Sequence, residues 1–299
     1  MRILIVGAGA TGGAFGSLLQ EAGRDITYLV RPRRADELRR DGLRFVSPTA
    51  DRTLSVTTLT ADESAPPFDL VLVTVKASAL ESAIADVRRF VGPDTRVVPI
   101  LNGIAQIDLL GEAFPGQVIG GAAKIVATLD GAVVRQLMDL TTLTIGAPEG
   151  GRPSDGLVEA LDVPGIRLEV SDDILGALWE KWMFIAAASV ITCLFRNAVG
   201  AIIEAGGLPS ILQAIEETES VADAAGHPVS VRAHEQSLSL LTEPGSGFTT
   251  SLYRDLTAGL PTEAEHILGD LARRARALGV ATPLLDLALV QIRAAALAR

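Results

Sequence analysis

Cysteine is almost absent from this 299-residue chain. Cys193 stands alone, so no internal disulfide can form and the chain cannot build a thiolate metal site from it. Its neighbours Ile191, Leu194 and Phe195 are apolar, the setting of a buried structural thiol rather than a nucleophile. Histidine is nearly as scarce. His227, His234 and His266 lie at no metal-ligand spacing and no His-Glu-x-x-His pattern occurs, so metal chemistry is not expected. Lysine is rare as well: of 26 basic residues only Lys76, Lys124 and Lys181 are lysine. Where arginine fills most cationic positions, a lysine is a candidate for work that needs a compact, deprotonatable ammonium, although a surface lysine costs nothing. Positive charge is outweighed overall, and a net charge of −10 leaves no broadly basic face for nucleic acid. Apolar runs such as 185–193 are too short to cross a bilayer and are soon followed by Arg196. The first residues read as a strand, not as a charged region followed by a signal core, so a cytoplasmic protein with no membrane partner is expected. What remains is 48% hydrophobic and 21% charged, the composition of a globular chain long enough for two domains.

The chain opens on an apolar strand that runs into Gly7-Ala8-Gly9-Ala10-Thr11-Gly12, a Gly-x-Gly-x-x-Gly turn. Such a turn lets backbone N–H groups and the start of the next helix meet a pyrophosphate, which a Cβ at Gly7 or Gly9 would obstruct. An amphipathic segment at 14–22 and a second strand at 25–30 complete a βαβ unit around it. That second strand ends in Val30-Arg31, with no acid at its tip to bind a ribose 2′-hydroxyl. A guanidinium there suits a 2′-phosphate, so Arg31 points to NADP(H) rather than NAD(H). The alternative is a solvated basic loop, since Arg33, Arg34, Arg39, Arg40 and Arg44 continue the run.

Strands are readable at 2–6, 25–30, 54–57, 69–75 and 96–101, with helical stretches between several of them. The continuous apolar run 70–75 suits a parallel strand buried on both faces. Further strands are expected at 118–128, 132–137 and 141–146, with Asp130-Gly131 as a hairpin turn that would end the sheet in antiparallel strands. From Ser171 onward strand signals vanish. Ser171-Asp172-Asp173 reads as the start of a long helix through Trp179 and Lys181, followed by helices at 209–225, 229–241, 262–278 and 283–297, with Gly226 and Gly279 at C′ positions. The fold class is therefore α/β: a doubly wound Rossmann-type domain over 1–169, then an all-helical domain over 170–299. Ligands bind beyond the carboxyl ends of parallel strands, where Lys76 and Asn102-Gly103 follow two of the predicted strands.

The glycine turn, Val75-Lys76-Ala77, Leu101-Asn102-Gly103, Trp179-Glu180-Lys181 and the late runs Thr249–Asp255 and Pro261-Thr262-Glu263 together resemble the ketopantoate reductase (2-dehydropantoate 2-reductase) family. The resemblance spans essentially the whole chain, in order. It implies NADPH-dependent reduction of a 2-oxo acid to a 2-hydroxy acid: ketopantoate to pantoate, a step of pantothenate biosynthesis, or a related substrate. Lys181 matches the family's general acid, and Glu263 the late glutamate near the cofactor and active site. Ser251 matches a serine that binds the substrate carboxylate. Lys76 and Asn102 match positions near the nicotinamide and its ribose, Asn102 also reaching the substrate, and Ala127 falls where the family makes a backbone contact to the cofactor. The family resemblance also leaves a homodimer open.

Three positions depart from the family pattern. Ile185 and Ser189 stand where asparagines follow the lysine by four and eight residues, and Phe248 stands where a third precedes the serine. Ser189 retains one hydroxyl for the substrate. A site built on hydrogen bonds discriminates steeply when they vanish, so a more apolar 2-oxo acid than ketopantoate is expected. Two other readings stay open: another hydroxy acid dehydrogenase of the Rossmann-plus-helical type, and a non-catalytic NADP(H)-binding sensor.

Overall fold

A computed structural model describes residues 1–297. Among the described residues ten strands occur in the order β1 (Arg2–Val6), β2 (Asp25–Leu29), β3 (Leu43–Ser47), β4 (Ala50–Leu54), β5 (Thr57–Leu59), β6 (Phe68–Val73), β7 (Val91–Pro99), β8 (Gly120–Asp130), β9 (Val133–Gly146) and β10 (Arg167–Val170). Contacts divide the chain into two compact units. One comprises Met1–Leu101 with Gln106–Ile174, and the other comprises Asn102–Ala105 with the residues from Leu175 onward.

The first unit holds two sheets. Strands β5-β2-β1-β6-β7 form an all-parallel sheet in that order. The chain moves outward from β1 to one edge, then returns to its other side at β6, which makes the β1/β6 boundary the topological switch point. Successive side chains of β1 point to opposite faces: Ile3 and Ile5 join one buried cluster, Leu4 and Val6 the other. Both faces are thus covered, as the apolar runs require. The first face packs on the helix Ala10–Glu21 through Ala14, Phe15 and Leu19, and that helix packs in turn on Phe45, Val134 and Leu143 of the second sheet.

The second sheet was not foreseen. It runs β10-β9-β3-β4, with β8 paired to β9. The hairpin at Asp130-Gly131 forms, Asp130 pairing with Val133, but it belongs to this sheet and does not extend the first. Strand β9 is continuous where two strands were expected. Opposite the slip between Ile125 and Ala127 it bulges outward over residues 137–140, and those residues break its alternation. The expected strand at 54–57 falls on the junction between β4 and β5. Strand β4 (Ala-Asp-Arg-Thr-Leu) is an exposed edge with no apolar alternation to announce it.

The second unit is helical apart from loops: Ile174–Phe195, Val199–Glu204, Leu208–Ala224, Val231–Leu241, Ser251–Thr257, a π turn at Glu265–Gly269, Asp270–Leu278 and Pro283–Leu297. The six- and seven-residue helices escape sequence periodicity because they span fewer than two turns. Gly279 takes the left-handed conformation that closes its helix, and Gly226 has a positive φ after Ala225, both as expected. The helix Ile174–Phe195 is long and apolar enough to cross a membrane by length and composition, longer than the run 185–193 indicated. Its most apolar window is 61% buried inside the protein, and Trp182, Ala186, Ala188, Ile191 and Cys193 are all core, so it is the central helix of its unit.

Candidate active site

In the first unit the site begins where β1 ends. Val6 lies in register between Leu29 and Val73, and the Gly7 N–H donates to the Leu29 carbonyl at 3.0 Å. Gly7 then turns with φ +99°, a conformation that L side chains rarely adopt. Thr74, at the end of the neighbouring strand, ties the turn down. Its N–H donates to the Val6 carbonyl at 3.1 Å, and its hydroxyl lies 2.9 Å from the Val6 carbonyl and 3.0 Å from that of Gly7. The helix Ala10–Glu21 starts at once, and its cap, Gly9, offers no side-chain acceptor to the first N–H groups. A Cβ at Gly9 would meet nothing, whereas one at Gly12 would land on the Gly7 carbonyl oxygen and the Thr74 hydroxyl. Open space above the turn and a closed seat below it are what a pyrophosphate needs, since N–H groups at a helix start are unpaired within the helix and carry its positive pole. The residues present fit a dinucleotide.

At the tip of β2 the arginine run separates into two kinds. Arg33 and Arg34 pair with Glu37 at 3.1 and 3.3 Å and hold its carboxylate below the ordinary range. Arg39 pairs with Glu63, Arg40 with Asp41 and Arg44 with Asp51. Arg31 is exposed, caps the helix Pro32–Asp41, and makes no ion pair among the described residues. Arg34 also reaches the turn itself, donating to the Ala8 carbonyl at 3.5 Å and to that of Ala132 at 3.3 Å. Lys76 is exposed three residues beyond β6, capping a single 3₁₀ turn, Ala77–Ala79. Ala127 lies within β8 of the second sheet, in register with Gln136 at the point where the β8–β9 pairing slips.

In the helical unit, Lys181 is half-buried two turns into Ile174–Phe195. Ile185 and Ser189 follow it at i+4 and i+8, on the same helix face. Ser189 is fully buried, and its hydroxyl has no hydrogen-bond partner. Phe248 packs on Phe184, with ring centroids 5.9 Å apart, so an aromatic pair stands at one of the positions where the family pattern carries an amide. Ser251 is exposed at the start of its helix, whose cap is Thr250, the hydroxyl accepting from the Tyr253 N–H. Glu180, beside Lys181, accepts from the Ser230 N–H at 3.1 Å.

Glu263 is half-buried just before the late helical segment. That segment does not begin as the α-helix expected at 262–278: a π turn over Glu265–Gly269 precedes Asp270–Leu278. Its first amides, His266 N and Ile267 N, donate to the Glu263 carbonyl at 3.1 and 2.9 Å. The His266 Nε2 lies 2.7 Å from the carbonyl oxygen of Asn102, and the Trp182 indole donates to the Ile267 carbonyl at 3.0 Å. The segments of Asn102, Lys181 and Glu263 therefore converge on one turn of this unit. Sequence reasoning missed His266 and Trp182, whose only signal was position, three residues after Glu263 and one after Lys181. Cys193 is buried as expected, and burial pushes its thiol up to about 12, which makes it inert.

Two family models match the chain. Residues 3–150 match "Ketopantoate reductase PanE/ApbA" and residues 173–296 match "Ketopantoate reductase PanE/ApbA C terminal". Among curated relatives, an uncharacterized oxidoreductase, YkpB of Bacillus subtilis, is 32% identical over 293 residues, covering 96% of each chain. Among solved structures, 2-dehydropantoate 2-reductase from Methylococcus capsulatus is 26% identical with a TM-score of 0.86, covering 100% of this chain and 97% of that one. D-mandelate dehydrogenase with NADH and anilino(oxo)acetate shares the fold at a TM-score of 0.88 and 21% identity, covering 100% and 99% of the two chains.

Proposed function

The chain belongs to the ketopantoate reductase family, and on that footing we propose that it reduces a 2-oxo acid to the 2-hydroxy acid with NADPH as the reductant. The observation that carries the reading is the turn at 7–12, where an uncapped helix start faces open space over a glycine seat. Gly7, Ala8, Gly9, Ala10, Thr11 and Gly12 would cradle the pyrophosphate. Arg31, with no local carboxylate to satisfy it, would take the 2′-phosphate. Lys76, Asn102 and the backbone at Ala127 would hold the nicotinamide end. When bound, the nicotinamide supplies the hydride.

The remaining chemistry is the chain's own. Hydride addition turns the substrate carbonyl into an alkoxide, so a cation in hydrogen-bond reach both stabilises the charge and supplies the proton. Lys181 is assigned that role, with Glu263 orienting it and Ser251 binding the substrate carboxylate. The Phe184–Phe248 pair, with Ile185 at the position four residues after Lys181, supports a substrate whose side chain is apolar, because a hydroxyl there would lose its partners.

The test is NADPH and NADH oxidation against a panel of 2-oxo acids that includes ketopantoate. Branched, hydroxyl-free 2-oxo acids should outrun ketopantoate in kcat/KM, with NADPH preferred. Ketopantoate as the best substrate would refute the specificity assignment, and equal use of NADH would refute the role of Arg31. A second reading, a non-catalytic NADP(H) sensor, draws on the same loss of amides. It would be favoured by tight NADPH binding with no turnover of any 2-oxo acid.

A further inference from the structure

The three segments that the proposed reaction needs from the helical unit are joined by residues with no assigned role. One is His266. A carbonyl oxygen can only accept, so the 2.7 Å contact with Asn102 requires that Nε2 carry the proton and donate. The contact spans 164 residues of sequence and reaches the backbone next to the Asn102 side chain. Gly103 makes room for it: the residue has φ +83°, and a Cβ there would stand 3.1 Å from the His266 Nε2. On its other side, His266 belongs to the π turn whose amides bind the Glu263 carbonyl, and the turn is held from behind by the buried Trp182 indole, next to Lys181. A π turn is a local register change inside a helix, rare in general and frequent at functional sites. Here it lets one turn meet Glu263, the helix of Lys181 and the Asn102–Gly103 loop together.

We infer that His266 is a positioning residue. Its Nε2–H fixes the Asn102–Gly103 loop to the turn whose amides hold the Glu263 carbonyl, and so holds the backbone that presents the Asn102 amide to the proposed reaction. The inference rests on the reductase reading for its catalytic consequence, while the anchor itself rests on geometry alone.

The experiment compares His266→Phe, which keeps an aromatic ring and removes the donor, with His266→Gln, which restores an N–H. Amide hydrogen exchange of residues 102–105 reads the anchor without turnover, and steady-state kinetics with the best 2-oxo acid reads its consequence. In the phenylalanine variant, exchange at 102–105 should rise at least tenfold and kcat should fall at least tenfold, with KM for NADPH within threefold of the parent. Glutamine should restore both to within threefold. Unchanged exchange in the phenylalanine variant, faster exchange with unchanged kcat, or failure of glutamine to restore kcat would each overturn the inference. Should the phenylalanine variant not fold, Gly103→Ala presses a methyl against the same Nε2 and must give the same two readings. If the parent protein turns over no 2-oxo acid while exchange still responds to His266→Phe, the reductase reading fails and the catalytic consequence with it, whereas the anchor stands.

Discussion

Gly12→Ala is the sharpest perturbation of the proposed nucleotide seat. The added methyl would overlap the Gly7 carbonyl oxygen and the Thr74 hydroxyl, both of which are fixed, the first by the turn and the second by its bonds to Val6 and Gly7. Restoring ordinary van der Waals separation requires moving the helix start or the turn by about 1 Å. Hydrogen bonds to a pyrophosphate are made within a narrow range of length, and a shift of that size breaks those made by the first N–H groups. Losing two hydrogen bonds to a charged group, at about 1.5–3 kcal/mol each, weakens binding by about 100-fold or more. Stability should also fall by about 1–3 kcal/mol, the usual cost of overpacking. Calorimetric titration with NADPH, paired with urea unfolding, separates the two effects. A variant that binds NADPH within threefold of the parent would show that the turn does not seat the pyrophosphate.

Lys181→Ala should lower kcat by about 100-fold or more, the range for a lost general acid, while NADPH binding measured by calorimetry stays within threefold. Retained turnover would remove Lys181 from the mechanism. Arg31→Ala should cost about 1.5–3 kcal/mol of NADPH affinity and leave NADH affinity unchanged, and a parallel loss of both would mean that Arg31 does not read the 2′-phosphate. Glu217 is a structural counterpart: buried, it accepts from the N–H groups of Leu284 and Leu285, at 3.0 and 3.2 Å, and so caps the last helix from a neighbouring one. Glu217→Ala should cost about 2–4 kcal/mol in urea unfolding by orphaning those donors, and a loss below about 0.5 kcal/mol would contradict the assignment.

The parallel sheet was legible because its two innermost strands, β1 and β6, carry continuous apolar runs at 3–6 and 70–73, the pattern of strands buried on both faces. The second sheet was hidden for the converse reason. Strand β4 is an edge whose exposed Asp51, Arg52 and Thr53 carry no period, and the bulge at 137–140 splits β9 into two apparent strands. At the candidate site, residue types and their order singled out Gly7–Gly12, Lys181 and Glu263 as candidates, but not what each one touches. Sequence alone could not separate Arg31 from the five arginines after it, because the difference lies in which carboxylates the fold brings alongside. His266 was illegible in principle: its partner is a backbone carbonyl 164 residues away, and a carbonyl leaves no trace in residue type.

The central helix makes one further demand. Apolar nearly all round, it must find a partner for every polar group it buries. Thr192 donates to the Ala188 carbonyl and meets the Thr250 hydroxyl, Trp182 donates to Ile267, and Glu180 accepts from Ser230. Ser189 has no partner, and an unsatisfied buried hydroxyl costs about 1–3 kcal/mol. Such a cost is maintained most simply where a ligand repays it, and Ser189 lies on the face that begins with Lys181. Ser189→Ala should therefore raise stability by about 1 kcal/mol in urea unfolding and also raise KM for the 2-oxo acid several-fold, since the substrate loses a donor that the free protein never used. A variant that is more stable with unchanged KM would make Ser189 a buried defect with no part in binding. One that is less stable would show that the hydroxyl is satisfied after all.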